Sequence, residues 1–194
     1  MSAVSTLKYT IEEYLEIEAV ALEKHEFYQG QIIAMAAASI AHNQISRNTL
    51  YGIDKHLKES GNCEIFPSAL KIHSELNSLF TYPDLSIICG EIETLVKHND
   101  VVTNPSVLIE VLSLSTQDYD RGSKFKLYRD IPSLKEYVLI SSLEVLVEKY
   151  DRQPDNTWIL HEYKTQNDSF KILSADIEIQ VDSLYRDVQF ETKI

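Results

Sequence analysis

Hydrophobic and polar positions near the start of the chain alternate in the way expected of a helix followed by a β-hairpin. Residues 10–13 (Thr-Ile-Glu-Glu) have the spacing of a capping box, and apolar positions three and four apart predict a helix over residues 11–22. Residues 25–28 and 31–35 are two extended runs that flank a short turn containing Gly30. This arrangement predicts a hairpin.

A second and longer helix is predicted by the apolar spacing over residues 41–59, with Gly61 as its stop signal. From Cys63 onward the period changes toward two, which is typical of strands. Residues 107–112 form the most apolar run of the chain, as expected for a strand covered on both faces. The predicted strands are residues 63–66, 69–73, 82–89, 107–112, 137–141, 145–150, 157–163 and 169–173.

Three further helices are predicted between and after these strands. They are a short one over residues 94–98, a longer one over 116–130 ended by Pro132, and a short one near 183–186. The resulting order of helix, hairpin, helix, strands, helix and strands predicts an α+β fold with a central mixed β-sheet flanked by helices. No linker-like stretch divides the chain, so we expect one domain over residues 1–194.

The composition narrows the class of protein without naming an activity. The chain is 44% apolar and 25% charged, which is typical of a globular protein. Its net charge of −12 argues against a protein that binds nucleic acid non-specifically through a basic surface. No stretch has the apolar length of a leader or a membrane span, so we expect a soluble, cytoplasmic protein. Cys63 and Cys89 are too few for a disulfide framework, and the lack of a C-x-x-C motif argues against a zinc or redox site.

Two acidic residues stand in otherwise apolar strands and are the first candidates for chemistry. Asp84 follows Pro83 and opens a hydrophobic strand, and Glu110 interrupts the apolar run over residues 107–112. Carboxylates are rarely buried unless they are paired or bind a cation. The pair therefore has two interpretations, a structural ion pair with a buried base or a divalent-metal site. Oxygen ligands without a cysteine or histidine cluster favour magnesium or manganese over zinc.

An ordered set of motifs resembles the PD-(D/E)XK nuclease superfamily and, more narrowly, the Uma-type restriction-endonuclease family of bacterial proteins. The resemblance implies a restriction-endonuclease-like fold in which Asp84 and Glu110 hold Mg²⁺ (or Mn²⁺) and a lysine positions or polarises the attacking water. The residues that carry it are His25-Glu26 with Gly30, His42, Tyr82-Pro-Asp84, Glu110-Val-Leu-Ser113, and Asp120, Lys124 and Tyr128.

The chain departs from the usual superfamily pattern at the lysine. That pattern has a lysine two residues after the second acid, where this chain has Leu112. The Uma-type pattern has its lysine on the following helix, and Lys124 matches this position. The resemblance also implies that Glu26, just before the hairpin turn, contributes to the catalytic group. It assigns no role to His42, and Lys71 can face either a phosphate or solvent.

The leading functional hypothesis is therefore a metal-dependent DNA endonuclease with Asp84, Glu110, Lys124 and Glu26 as catalytic residues. We expect a homodimer, because twofold dimers are the commonest soluble oligomers and a cleft between subunits would suit a duplex. Two alternatives remain, a non-catalytic nuclease-fold module that binds protein or DNA, and a structural homo-oligomer built on the late apolar strands. The cations expected to line the dimer cleft are Lys55, Lys58, Lys71, Lys124, Lys126 and Arg129.

The metal hypothesis makes two structural predictions. Asp84 and Glu110 should lie on adjacent strands of one sheet, with their carboxylates together and Glu26 nearby. Burial and the neighbouring like charge should also raise the pKa of Glu110 when no metal is bound.

Overall fold

The computed structural model describes residues 8–35 and 37–190. Residues 1–7, where we expected no leader, lie outside this part of the chain. No helix in the described part is long and apolar enough to cross a membrane. The helices are α1 (Ile11–Val20), α2 (Ile40–Ser60), α3 (Gln117–Tyr119), α4 (Phe125–Tyr128) and α5 (Val181–Leu184), with a π-helical turn (Asp120–Lys124) between α3 and α4. The strands are β1 (His25–Tyr28), β2 (Gln31–Ala34), β3 (Cys63–Pro67), β4 (Lys71–Ser74), β5 (Leu79–Thr81), β6 (Leu85–Cys89), β7 (Thr94–Leu95), β8 (His98–Val102), β9 (Val107–Leu112), β10 (Glu136–Ser141), β11 (Val147–Arg152), β12 (Trp158–Tyr163), β13 (Ser169–Ile172) and β14 (Ile177–Gln180).

The strands form two six-stranded mixed sheets and one separate hairpin. The first sheet has the order β2-β1-β5-β4-β8-β7, the central sheet has the order β12-β11-β10-β9-β6-β3, and β13 pairs with β14. Strand β9 is parallel to β10, and β4 is parallel to β8, whereas the other pairs are antiparallel. The predicted α+β class with a mixed sheet flanked by helices is confirmed. The first sheet was not predicted as a separate sheet.

Local signals in the sequence account for the ends of the two long helices. The Thr10 hydroxyl accepts the Glu13 amide at 3.1 Å, and the Glu13 carboxylate accepts the Thr10 amide at 2.8 Å, which completes the capping box. Helix α2 ends at Gly61, whose left-handed φ of 71° is a conformation that glycine adopts without strain. The start of α1 and the stop at Gly61 were predicted, and α2 begins at Ile40, one residue before its predicted start.

The central sheet separates two hydrophobic layers, and successive residues of β9 face them in turn. Val107, Ile109 and Val111 pack with α2, α5 and the β13–β14 hairpin. Leu108 and Leu112 pack with α4 and with residues of the first sheet. Glu110 shares the face of Leu108 and Leu112, so its carboxylate lies where α4 and the first sheet cover the central sheet.

The helix predicted over residues 94–98 is wrong. The structure has strands β7 and β8 there, joined by a tight turn in which Lys97 has a φ of 70°. This left-handed backbone cannot continue a right-handed helix. Thr94 of β7 instead pairs with Val102 of β8.

The pairing of the two cysteines was not predicted. Cys63 and Cys89 lie opposite each other on β3 and β6 and form a disulfide. The sequence separation of 26 residues gave no hint of this pairing, because the partners meet only through the antiparallel register of the sheet.

Candidate functional site

Asp84 and Glu110 are brought face to face by the register of two adjacent antiparallel strands. Leu85 of β6 pairs with Ile109 of β9, so Asp84, one residue earlier, lies opposite Glu110. Residues directly opposite in an antiparallel pair project to the same face of a sheet. The Asp84 amide lies 3.4 Å from Glu110 Oε2, and the Val111 amide donates to Asp84 Oδ2 at 2.7 Å. The structure therefore brings together the two acids that the sequence singled out.

Glu110 is a buried carboxylate with one oxygen fully engaged. Its Oε1 accepts a hydrogen bond from the Tyr128 hydroxyl at 2.7 Å and lies 2.9 Å from the Lys124 ammonium. Burial, which the Lys124 charge only partly offsets, raises the pKa of Glu110 to about 8, and the charges of Asp120 and Asp84 add to the rise. The predicted direction of this pKa shift is confirmed.

Lys124 points into this acidic group and not into solvent. Its ammonium lies 2.9 Å from Glu110 Oε1, 3.1 Å from Glu26 Oε1 and 3.7 Å from Asp120 Oδ1, and the residue is 5% exposed. Burial disfavours the charged ammonium. The carboxylates of Glu110, Glu26 and Asp120 outweigh that effect and raise the pKa of Lys124 well above its ordinary value. Lys124 is therefore a cation held against the carboxyl groups of Glu110, Glu26 and Asp120.

The backbone around Lys124 is not the regular helix predicted over residues 116–130, because Asp120–Lys124 forms a π-helical turn. The Tyr137 hydroxyl donates to the Asp120 carbonyl at 3.1 Å, and Arg121 pairs with Glu148 at 2.6 Å. Side chains of β10 and β11 therefore hold the turn in place. π-Helical turns within helices are rare and are frequent at functional sites. This turn buries both Asp120 and Lys124, which are four residues apart.

Glu26 reaches the same group from the first sheet. It lies on β1, is 7% exposed, and accepts the Thr81 hydroxyl at 2.5 Å as well as the Lys124 ammonium. Tyr119 adds a longer contact, 3.4 Å from its hydroxyl to Glu26 Oε2. Thr81 ends β5 only three residues before Asp84, so one short segment connects the first sheet to the central sheet through the site.

Sequence reasoning left His42 without a role, and the structure places it against Asp84. Its Nε2 lies 2.8 Å from Asp84 Oδ1. Burial opposes the charged imidazole, yet hydrogen bonds to Asp84 and the Val111 backbone, with the charges of Asp84 and Asp120, raise the pKa of His42. The roles of Tyr128 and Thr81 were also missed. Tyr128 was named only among the motif residues of the resemblance, whereas no local signal identified Thr81.

Lys71 and the other expected cations do not share one cleft within a protomer. Lys71 is buried beside Asp100, 3.6 Å away, and its ammonium lies 5.8 Å from the Tyr82 ring centre. Lys55 lines a hollow of about 990 Å³ between α2 and β14–α5. Lys126 and Arg129 line a different hollow of about 390 Å³.

The donor set of the site fits a hard divalent cation. Glu110, Glu26 and Asp120 bring three acidic side chains against the single ammonium of Lys124, and Asp84 adds a fourth beside Glu110. Acidic groups are therefore in excess where burial already raises the pKa of Glu110. Oxygen donors of this kind suit magnesium or manganese. Within residues 8–35 and 37–190, no three acidic, histidine or cysteine side chains form a ready-made metal cage. Protein ligands to an ion would thus be the facing pair of Asp84 and Glu110.

Comparison with known proteins identifies the family. Residues 11–182 match the Uma2 family model, described as "Putative restriction endonuclease". Two uncharacterized Synechocystis proteins, slr1290 and sll1609, are each 38% identical to the chain. The two matches cover 94% and 86% of this chain, respectively, and 94% of each relative. A crystal structure of "a putative nuclease belonging to DUF820" from Anabaena variabilis superposes with a TM-score of 0.75, at 17% identity, over 93% of this chain and 99% of that one. The chain therefore belongs to the Uma2 restriction-endonuclease family and has the fold of that nuclease.

Proposed function

We propose that the protein is a metal-dependent endonuclease that hydrolyses phosphodiester bonds in DNA. The observation that carries the proposal is the facing pair of Asp84 and Glu110 with the Lys124 ammonium 2.9 Å from Glu110. Membership of the Uma2 family supports a nuclease, and the excess of carboxylates supports a cation.

In this proposal Asp84 and Glu110 hold Mg²⁺ or Mn²⁺, which when bound would lower the pKa of a water and neutralise a phosphate oxygen. The chain's own residues do the rest. Lys124 would stabilise the negative charge that develops at the phosphate, and it can do so because its raised pKa keeps it protonated. Glu26 and Asp120 fix the lysine's direction by pairing with its ammonium, at 3.1 and 3.7 Å.

The DNA substrate and the homodimer belong to the same proposal. Because most DNA contact energy comes from neutralised phosphates, an acidic protein must gather its cations locally. Lys55 lines one hollow of the protomer, and Lys126 and Arg129 line another. We expect a twofold dimer to present these cations along one duplex. Analytical ultracentrifugation at micromolar concentration should give a dimer, and a monomer throughout would contradict this part.

A plasmid-nicking assay tests the function directly. Supercoiled DNA should be nicked in Mg²⁺ or Mn²⁺ and remain intact in EDTA. Asp84→Ala should abolish nicking, because it removes one of the two proposed ligands. Asp100→Ala is a matched control, since Asp100 is exposed and pairs with Lys71 outside the site. Equal activity of the two variants would contradict the proposal.

The alternative is a nuclease-fold module that binds DNA or protein without cleaving it. Leu112 at the usual lysine position and the dispersed cations favour this alternative. A wild-type protein that shifts DNA in a gel without nicking it in either metal would support binding alone.

A further inference from the structure

His42 is the one imidazole in direct contact with a proposed metal-holding carboxylate among the residues that the structure describes. Its Nε2 lies 2.8 Å from Asp84 Oδ1, and both side chains are mostly buried, with 13% and 17% of their side-chain surfaces exposed. An ionised carboxylate can only accept hydrogen bonds. The imidazole is therefore the donor, through Nε2–H.

The position of His42 is fixed by the start of α2. The Ser39 hydroxyl caps the helix by accepting the His42 amide at 3.1 Å. Ala41 and Ile45 on either side are buried in the core, so they set the rotation of the first turn. Helix α2 thus delivers the imidazole to Asp84 as part of the packed structure and not on a mobile loop.

The Asp84 carboxylate is consequently held from two sides. His42 donates to Oδ1, and the Val111 amide of β9 donates to Oδ2 at 2.7 Å. Two donors on different oxygens fix the plane of a carboxylate, whereas one donor leaves it free to rotate about χ2. Hydrogen-bond partners of metal-ligating groups usually set the orientation, and their loss typically weakens metal binding about 10- to 100-fold.

We propose that His42 is a positioning residue, whose Nε2–H orients the Asp84 carboxylate for the divalent cation. The inference rests on the proposed function, because it assigns a role toward the ion that Asp84 would hold. His42 touches neither the ion nor the substrate in this role. It acts through Asp84, and its contribution to metal binding depends on a donor placed at Nε2 and not at Nδ1.

The test replaces His42 with two amide side chains of different length. The Gln side chain places its NH₂ near the position of Nε2, whereas the shorter Asn places its NH₂ near Nδ1. Mn²⁺ binding to the full-length protein is measured by the loss of the free-ion EPR signal, for wild type, His42→Gln and His42→Asn. His56→Asn, on the exposed side of the same helix, is the matched control. Thermal unfolding shows that each variant is folded.

The proposal predicts that His42→Gln binds Mn²⁺ within about threefold of wild type and His42→Asn about tenfold or more weakly. His56→Asn should match wild type. If the Gln and Asn variants bound Mn²⁺ with equal affinity, the positioning role of His42 would be overturned. The proposed function would still stand in that case, provided that the wild-type protein binds the ion. A wild-type protein that takes up no Mn²⁺ would overturn the metal site itself, and the role of His42 with it.

Discussion

Two buried lysines stand among carboxylates on opposite faces of the central sheet, and they differ in what surrounds them. Lys149 lies 2.7 Å from Glu136 and also pairs with Asp151. Both oxygens of Glu136 accept backbone amides of the β13–β14 turn, at 2.7 and 2.9 Å. Lys124 instead faces three carboxylates, and Oε2 of Glu110 has only the 3.4 Å contact with the Asp84 amide among the described residues.

The difference separates a structural ion pair from a candidate site. Around Lys149, both oxygens of Glu136 are hydrogen-bonded within the protein. The disulfide packs on the β13–β14 turn that Glu136 binds, with Cys89 Sγ 3.5 Å from the Ser174 carbonyl. Around Lys124 negative charge is in excess, and one oxygen of Glu110 remains available. A buried lysine beside an acid is therefore no sign of chemistry by itself, and the unused acceptor and the net charge are the informative features.

The largest expected effect is on the structural side of this comparison. Lys149→Met leaves Glu136 and Asp151 buried without their cation, which should lower the free energy of unfolding by about 3–5 kcal/mol. Urea denaturation measures the change, and added Mg²⁺ should not restore it. Lys171→Met, at an exposed pair with Asp176, should leave the stability unchanged within the error of the measurement. If both variants were equally stable, the Lys149 group would not be the structural pair described here.

The second effect is on the Lys124 side and concerns activity. Lys124→Met should slow plasmid nicking by about 100-fold, because it removes the cation proposed to stabilise charge at the phosphate. Lys164→Met, at an exposed pair with Glu162 away from the site, should nick at the wild-type rate. Full activity of Lys124→Met beside an inactive Asp84→Ala would keep the nuclease and refute this role of the lysine.

The smallest effect, taken per pH unit, is the pH dependence that distinguishes the two groups. Because the pKa of Glu110 is about 8 in the folded protein, this carboxyl keeps its proton between about pH 4.5 and 8, where the unfolded chain has released it. The unfolded state then binds fewer protons, so stability should fall as pH rises through this window, by at most about 1.4 kcal/mol per pH unit. Thermal unfolding in EDTA should show the slope in wild type. A Glu110→Gln variant with the same slope would contradict its assignment to Glu110.

What could be predicted from the sequence was mainly local. The capping box of α1, the hairpin around Gly30 and the stop at Gly61 each depend on residues within a few positions of one another. The helix at residues 94–98 failed because its composition does not reveal the left-handed backbone at Lys97. The short strands β5 and β14 have too few residues to show a period.

The candidate site was predictable where a residue was unusual in its own surroundings. Asp84 and Glu110 stand out as acids in apolar strands, and resemblance to a family added Glu26 and Lys124. The contact of His42 with Asp84 spans 42 residues of sequence. It forms only when α2 packs on the central sheet, so no local pattern could reveal it. The same holds for the cysteine pair and for the group around Lys149.

The π-helical turn makes the site depend on the number of residues as well as on their identity. Each residue of an α-helix advances the chain by about 100° around the axis. Removing one residue from the turn, such as Gly122, would let a regular helix form and rotate Lys124 away from Glu110 by about that angle, without changing a single acid or base. A Cβ at Gly122 meets nothing within 4 Å, so its replacement by alanine leaves room for the turn. Among relatives, a shortened segment would therefore signal a changed site even where every motif residue is retained.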